Sequence, residues 1–130
     1  MDPKTLRYSK SHEWVHQEGD ICTIGLTKFA VEQLTDIIFI DLPDVADPVI
    51  TGDSFGEVES VKAVNDIYSP VSGDITDVNK KLESEPGLIS QDPYGKGWLI
   101  KVRVSRNQTL DHLLTADQYA AQIKTEGEAH

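Results

Sequence analysis

The chain has 130 residues, 38% of them apolar and 26% charged, with 22 acidic against 12 basic side chains and a formal net charge of -10. That length suits one domain with a modest core, expected over residues 1–130, and that balance excludes a disordered chain. The negative field repels phosphate backbones and anionic membrane surfaces, so nucleic-acid and lipid binding are poor readings; it is compatible with steered encounters with basic protein surfaces and equally with acidity that merely keeps the protein soluble.

Taken in chain order, the N-terminal MDPKTLRYSK lacks the apolar core of a signal peptide and is too short and mixed in charge for a transit peptide. His12-Glu13-Trp14-Val15-His16 matches the H-E-x-x-H zinc-peptidase pattern, but Trp14, Val15 and the nearby Tyr8 favour a strand. Ile21 to Leu26 follows Gly19-Asp20 and has the period of two that marks a strand; it contains Cys22, which reads as a buried, inert thiol. A single cysteine excludes an intramolecular disulfide and favours a reducing compartment. Thr27 is placed to cap a helix over 28–34, with Phe29, Ala30 and Leu34 on one side. Ile37 to Leu42 reads as a strand ending before Pro43, and its apolar run is far too short to span a membrane. A complete cytoplasmic protein is the expectation.

Further strands are expected over 54–61, 68–78 and 97–104. In the last, Trp98, Ile100, Val102 and Val104 share one face, and Leu99, Lys101 and Arg103 the other. Residues 109–114 read as a short helix, and Thr115 as the cap of another over 116–124, with Tyr119 and Ile123 one turn apart. The tail TEGEAH is expected to fray. Many short strands separated by Pro and Gly suggest a sandwich or barrel.

The zinc motif does not survive this placement. It needs a helix to bring both histidines to one metal; four residues along a strand separate them by about 13 Å. No third ligand is assigned, only His112, His130 and acids remaining, so no metal site is expected. There is no G-x-S-x-G elbow, no phosphate-binding glycine loop and no Cys paired with His, so no catalytic residues are expected.

Lys62 is the more informative residue. A surface lysine in a loop is the default for its type. Against that default, Lys62 is the only basic residue from Asp53 to Asn79, and strand candidates converge on it from both sides. An ammonium on such a protrusion is a unique attachment point for an acyl group, and amide formation would remove its charge.

Gly52-Asp53, Val58-Glu59-Ser60-Val61-Lys62-Ala63 and Ser69-Pro70-Val71-Ser72-Gly73-Asp74-Ile75 together resemble the lipoyl- and biotinyl-carrier domains. Biotin carriers typically flank their lysine with methionines; here Val61 and Ala63 do so, and Glu59-Ser60-Val61-Lys62-Ala63 is similar to the pattern of the glycine cleavage system H protein family. Tyr8 to Trp14 looks like that family's opening strand, and Thr23 to Thr27, Asp41-Leu42-Pro43, Asp92-Pro93-Tyr94 and Gly97-Trp98 extend the match over nearly the whole chain. Asn65 departs from it, serine being common there.

The resemblance implies a non-catalytic carrier of mostly β fold: a barrel-sandwich hybrid of two antiparallel sheets with a few short flanking helices. It implies lipoate attached covalently to Lys62 by a lipoate ligase or octanoyltransferase. The arm would then visit a pyridoxal-phosphate glycine decarboxylase, an aminomethyltransferase using tetrahydrofolate, and dihydrolipoamide dehydrogenase. Ser11, Glu13 and Asp66 match family residues near a cleft that shelters the arm. A related lipoate carrier, serving as a lipoyl relay or in another oxidation pathway, is the alternative.

Overall fold

The computed structural model describes residues 1–105 and 107–128. Its strands are β1 (Arg7–Tyr8), β2 (Glu13–Glu18), β3 (Ile21–Leu26), β4 (Ile37–Asp41), β5 (Pro48–Val49), β6 (Ser54–Ser60), β7 (Val64–Tyr68), β8 (Gly73–Val78) and β9 (Ile100–Arg103). Its helices are α1 (Lys28–Leu34), α2 (Lys81–Ser84), α3 (Leu88–Gln91) and α4 (Ala116–Glu128). The strands form a six-stranded sheet in the order β1-β2-β3-β9-β8-β5 and a three-stranded sheet in the order β4-β6-β7. Every recorded strand pair is antiparallel. The mostly β expectation, two antiparallel sheets with short helices, therefore holds.

Local chemistry explains the elements that position the site. The β2–β3 hairpin pairs Glu18 with Ile21, so Gly19-Asp20 is the whole turn, and Gly19 takes the positive φ of 61° that such two-residue turns favour. Thr27 caps α1 as expected, its hydroxyl accepting from the Ala30 amide at 3.2 Å. The sheets close on Cys22, Ile24, Ile75, Ile100 and Val102 from the large one and Ile40, Val58 and Ile67 from the small one. Burial pushes the Cys22 thiol up to about 11, which keeps it protonated and unreactive at neutral pH. A second cluster joins Leu6, Tyr8, Trp14 and Tyr119, packing α4 against β1 and β2. Tyr8 and Tyr119 stack there with ring centroids 4.5 Å apart.

Several expectations need correction. Residues 109–114 form turns rather than a helix, and Leu114 pairs with Tyr8 as an isolated bridge. The stretch from Tyr8 to Trp14 is the end of β1, a turn and the start of β2, not one strand. In the region 68–78 only Tyr68, the end of β7, and Gly73–Val78 are strand, and the rest of β7 was not foreseen. In the 97–104 run regular pairing begins at Ile100, so strand parity does not govern Leu99, which is fully buried. Helix α4 runs through Glu128, four residues past the expected end; Ala129 and His130, the end of TEGEAH, lie outside the described residues. No helix among the described residues is long and apolar enough to cross a membrane.

Candidate functional site

Lys62 stands exposed in the loop joining β6 to β7, where Glu59 pairs with Val64. Tight hairpin loops usually need positive φ angles. This one has none; the buried Ser60 closes it instead. Its amide donates to the Ala63 carbonyl at 2.8 Å, and its hydroxyl accepts from the Ala63 amide at 3.2 Å. The Val61 amide donates to the Asp36 carbonyl at 3.0 Å, tying the loop to the chain just beyond α1. Lys62 has no ion-pair partner among the described residues.

Below this loop lies a cleft of about 340 Å³. Phe29, Ala30, Gln33 and Leu34 of α1 form one wall, and Val58, Asn65, Asp66 and Tyr68 of the hairpin face it. Ser11, His12 and Glu13 close one end, and Glu126 of α4 reaches the rim. Ser11 and Glu13, about fifty residues from Asp66 in sequence, thus line one cavity with it. Lys62 is not in its wall; it sits further up the hairpin.

Glu13 is only 1% exposed yet has no ion-pair partner among the described residues. Its Oε1 accepts from the Ser9 hydroxyl at 2.5 Å and from the Ser11 hydroxyl, and its Oε2 from the Tyr68 amide at 3.1 Å. The last bond joins the large sheet to the small one. Burial raises the Glu13 carboxyl above its ordinary value, and these hydrogen bonds, with His12 nearby, offset only part of that rise. Asp66 is exposed and accepts from the Ser54 hydroxyl at 3.3 Å.

His12 adopts φ 78°, a left-handed conformation that turns the chain into β2. Its Nδ1 meets the Tyr119 hydroxyl at 2.7 Å and its Nε2 meets Glu126 Oε1 at 3.2 Å. The Tyr119 hydroxyl also lies 2.7 Å from Thr27 Oγ1, so α4, the start of β2 and the α1 cap share one polar network. The resemblance to a zinc motif dissolves in this geometry. Residues 13–18 are strand, His16 turns to Glu18 at 3.2 Å, and His112 bonds the Pro70 carbonyl at 2.8 Å, while His130 lies outside the described residues. Among the described residues no group of three His, Cys, Asp or Glu side chains is arranged to hold a metal ion.

Sequence reasoning missed His12, Gln33 and Glu126 as cleft residues. The α1 wall had left a signal, because Phe29, Ala30 and Leu34 already shared a helix face. Glu126 had none, since its place depends on the docking of α4.

A family model described as "Glycine cleavage H-protein" matches residues 6–126. A relative from Carboxydothermus hydrogenoformans, described as glycine cleavage system H protein, is 51% identical over 126 residues, covering 97% of each chain. One from Gloeothece citriformis with the same description is 52% identical over 128 residues, covering 98% of this chain and 96% of its own. The crystal structure of a glycine cleavage system H protein from Mycobacterium marinum superposes with a TM-score of 0.86 at 39% identity, covering 95% of this chain and 99% of that one.

Proposed function

The chain belongs to the glycine cleavage H-protein family, and from that membership we propose that it is a cytoplasmic, non-catalytic lipoyl carrier, one domain over residues 1–130, with lipoate held as an amide on Lys62. One observation carries the reading: the sole basic residue between Lys28 and Lys80 stands exposed and without an ion-pair partner among the described residues, on a closed hairpin tip above a cleft.

The residues present fit such a group. Asn65 and Asp66 follow the loop residue Ala63 by two and three positions, roughly 7–10 Å along the strand, so a lengthened lysine side chain can fold back to the cleft. Leu26, Phe29, Leu34 and Val58 offer apolar cover there, and Ser11, Glu13 and Asp66 offer hydrogen-bond acceptors. For attachment, the deprotonated Lys62 amine attacks the acyl carbon of a lipoyl-adenylate made by a lipoate ligase from ATP. The N–C bond forms, the C–O bond to phosphate breaks, the electron pair leaves with AMP, and the nitrogen's proton passes to solvent. An octanoyltransferase followed by sulfur insertion reaches the same amide.

When bound, lipoate supplies a disulfide–dithiol couple that takes up a carbon unit and can be reoxidised. The chain then carries the aminomethyl group of glycine from glycine decarboxylase to aminomethyltransferase, and dihydrolipoamide dehydrogenase restores its oxidised form. In this cycle Glu13 has a defined task. Its carboxylate is oriented by the Ser9 hydroxyl from the β1–β2 turn and the Tyr68 amide of β7, and a protonated amine entering the cleft supplies the ion-pair partner that Glu13 lacks among the described residues.

The test is intact mass and peptide mapping after incubation with lipoate, ATP and a lipoate ligase. One lipoyl addition on the Lys62 peptide is expected, followed by glycine-dependent turnover with the three partner enzymes. An unmodified Lys62 overturns the carrier reading. Lipoylation without glycine-dependent turnover selects the relay role instead.

A further inference from the structure

The outer face of the small sheet lies on the other side of the hairpin from the core. Its outward positions are Phe39 and Asp41 on β4, Glu57 and Glu59 on β6, and Val64 on β7. The register aligns them in two rungs, Phe39–Glu59–Val64 and Asp41–Glu57. The second rung sets two carboxylates directly opposite one another, with Glu59 two residues along β6 from Glu57, an arrangement that destabilises a sheet. None of these carboxylates has an ion-pair partner among the described residues, and no basic residue occurs from Phe29 to Val61. Folding leaves the repulsion unrelieved, so an outside cation is the natural complement.

Apolar exposure gathers at the same place. Phe39 is 48% and Val64 56% exposed, and Val61 and Ile38 are exposed beside them. Phe39 and Val64 stand on either side of Glu59 in a groove of about 300 Å³ that Asp41 and Glu57 complete. Exposed apolar side chains beside unpaired carboxylates mark a protein-docking surface.

Reach identifies the occupant. A partner that acts on the far end of a lengthened arm has no need to touch the hairpin. An enzyme that must bond Lys62 Nζ itself has only the lysine side chain to bridge the gap, so it closes on the residues beside the tip. Val64 and Glu59 pair in the first rung below the loop, and Phe39 completes that rung. We propose that this groove is the docking surface of the enzyme that acylates Lys62, which meets its carboxylates with basic side chains flanked by apolar contacts. The inference rests on the carrier reading above.

The test compares acylation of four purified proteins by the cognate lipoate ligase with ATP and lipoic acid, followed by intact mass. The proteins are wild type, the exposed-residue double variant Asp41→Lys/Glu57→Lys, its neutral counterpart Asp41→Asn/Glu57→Gln, and Glu83→Lys/Glu85→Lys at the C-terminal end of α2 as a control with the same charge change. The lysine variant should lose about tenfold or more in kcat/KM, mostly through KM, and the neutral one should fall between it and wild type. Wild-type acylation should slow with added salt, and the lysine variant should lose that dependence. Melting temperatures report folding separately. Equal rates for wild type and the lysine variant overturn the inference while the carrier reading stands. Equal losses in the lysine variant and the α2 control reduce the effect to bulk charge and also overturn it. A loss confined to glycine-dependent turnover assigns the groove to another partner and overturns the occupant proposed. No acylation of wild type overturns the carrier reading itself.

Discussion

In the large sheet, Asp74 stands opposite Arg103 and Asp77 opposite Lys101, and Arg103 also pairs with Asp20 at 3.7 Å. In the small sheet, Asp41 and Glu57 stand opposite one another with no ion-pair partner among the described residues. Both sheets bury their inner faces in the same core, so the contrast belongs to the outer faces alone. Opposite charges across strands add a little stability and like charges subtract a little. The outer face of the large sheet thus adds to the stability of the fold, and that of the small sheet subtracts from it near Lys62.

Substitutions can break that division. The largest effect expected is complete: Lys62→Arg keeps the charge and should abolish acyl mass gain while leaving the melting temperature unchanged. Its counterpart in the large sheet is Trp14→Ala. Trp14 is fully buried, its indole donates to the Pro93 carbonyl at 3.0 Å, and a Cβ at Gly25 would lie 2.5 Å from its ring. Its loss should cost about 3–5 kcal/mol, read as a fall of the order of 10–20 °C in thermal melting.

Glu13 sits at the junction of the sheets and should show a mixed result. Glu13→Ala strands the Tyr68 amide and should cost about 2 kcal/mol in urea denaturation. Glu13→Gln can accept from that amide and donate to the serines, and should cost far less. Because burial raises the Glu13 carboxyl, the folded protein binds that proton more tightly than the unfolded chain does. Its contribution is full below the ordinary value of 4.5 and is lost as pH rises through the higher folded value. Stability measured against pH should fall across that window in wild type and lose that component in Glu13→Gln.

The smallest effects carry the sharpest comparison. Asp77→Asn in the large sheet should cost a few tenths of a kcal/mol, whereas Glu57→Gln in the small sheet should gain about as much. Two removals of one carboxylate charge would then have opposite signs in the same denaturation assay.

How much of this was legible depends on how local each signal was. Strand β3 and helix α1 could be read because alternation and the Thr27 cap act within a few residues. Strand β7 could not, because Val64, Asn65, Asp66 and Tyr68 are exposed and only Ile67 turns inward, which removes the apolar alternation. Residues 109–114 misled because Leu110, Leu113 and Leu114 have helical spacing, while the bridge from Leu114 to Tyr8 is a long-range pairing. Lys62 stood out through its isolation among acids. Ser11, Glu13 and Asp66 came only through family resemblance, and Glu126 depends on a helix docking across the whole chain length.

The loop that holds Lys62 contains no glycine, is closed by Ser60, and is fastened through Val61 to Asp36. Such a loop acts as a fixed pivot. On the carrier reading, all wandering of the reactive end is then left to one side chain and whatever is joined to it. The volume swept is a cap of constant centre, whose radius is the tether length. Local concentration falls steeply as that radius grows, so a loosened pivot would dilute the arm before any bond in it changed.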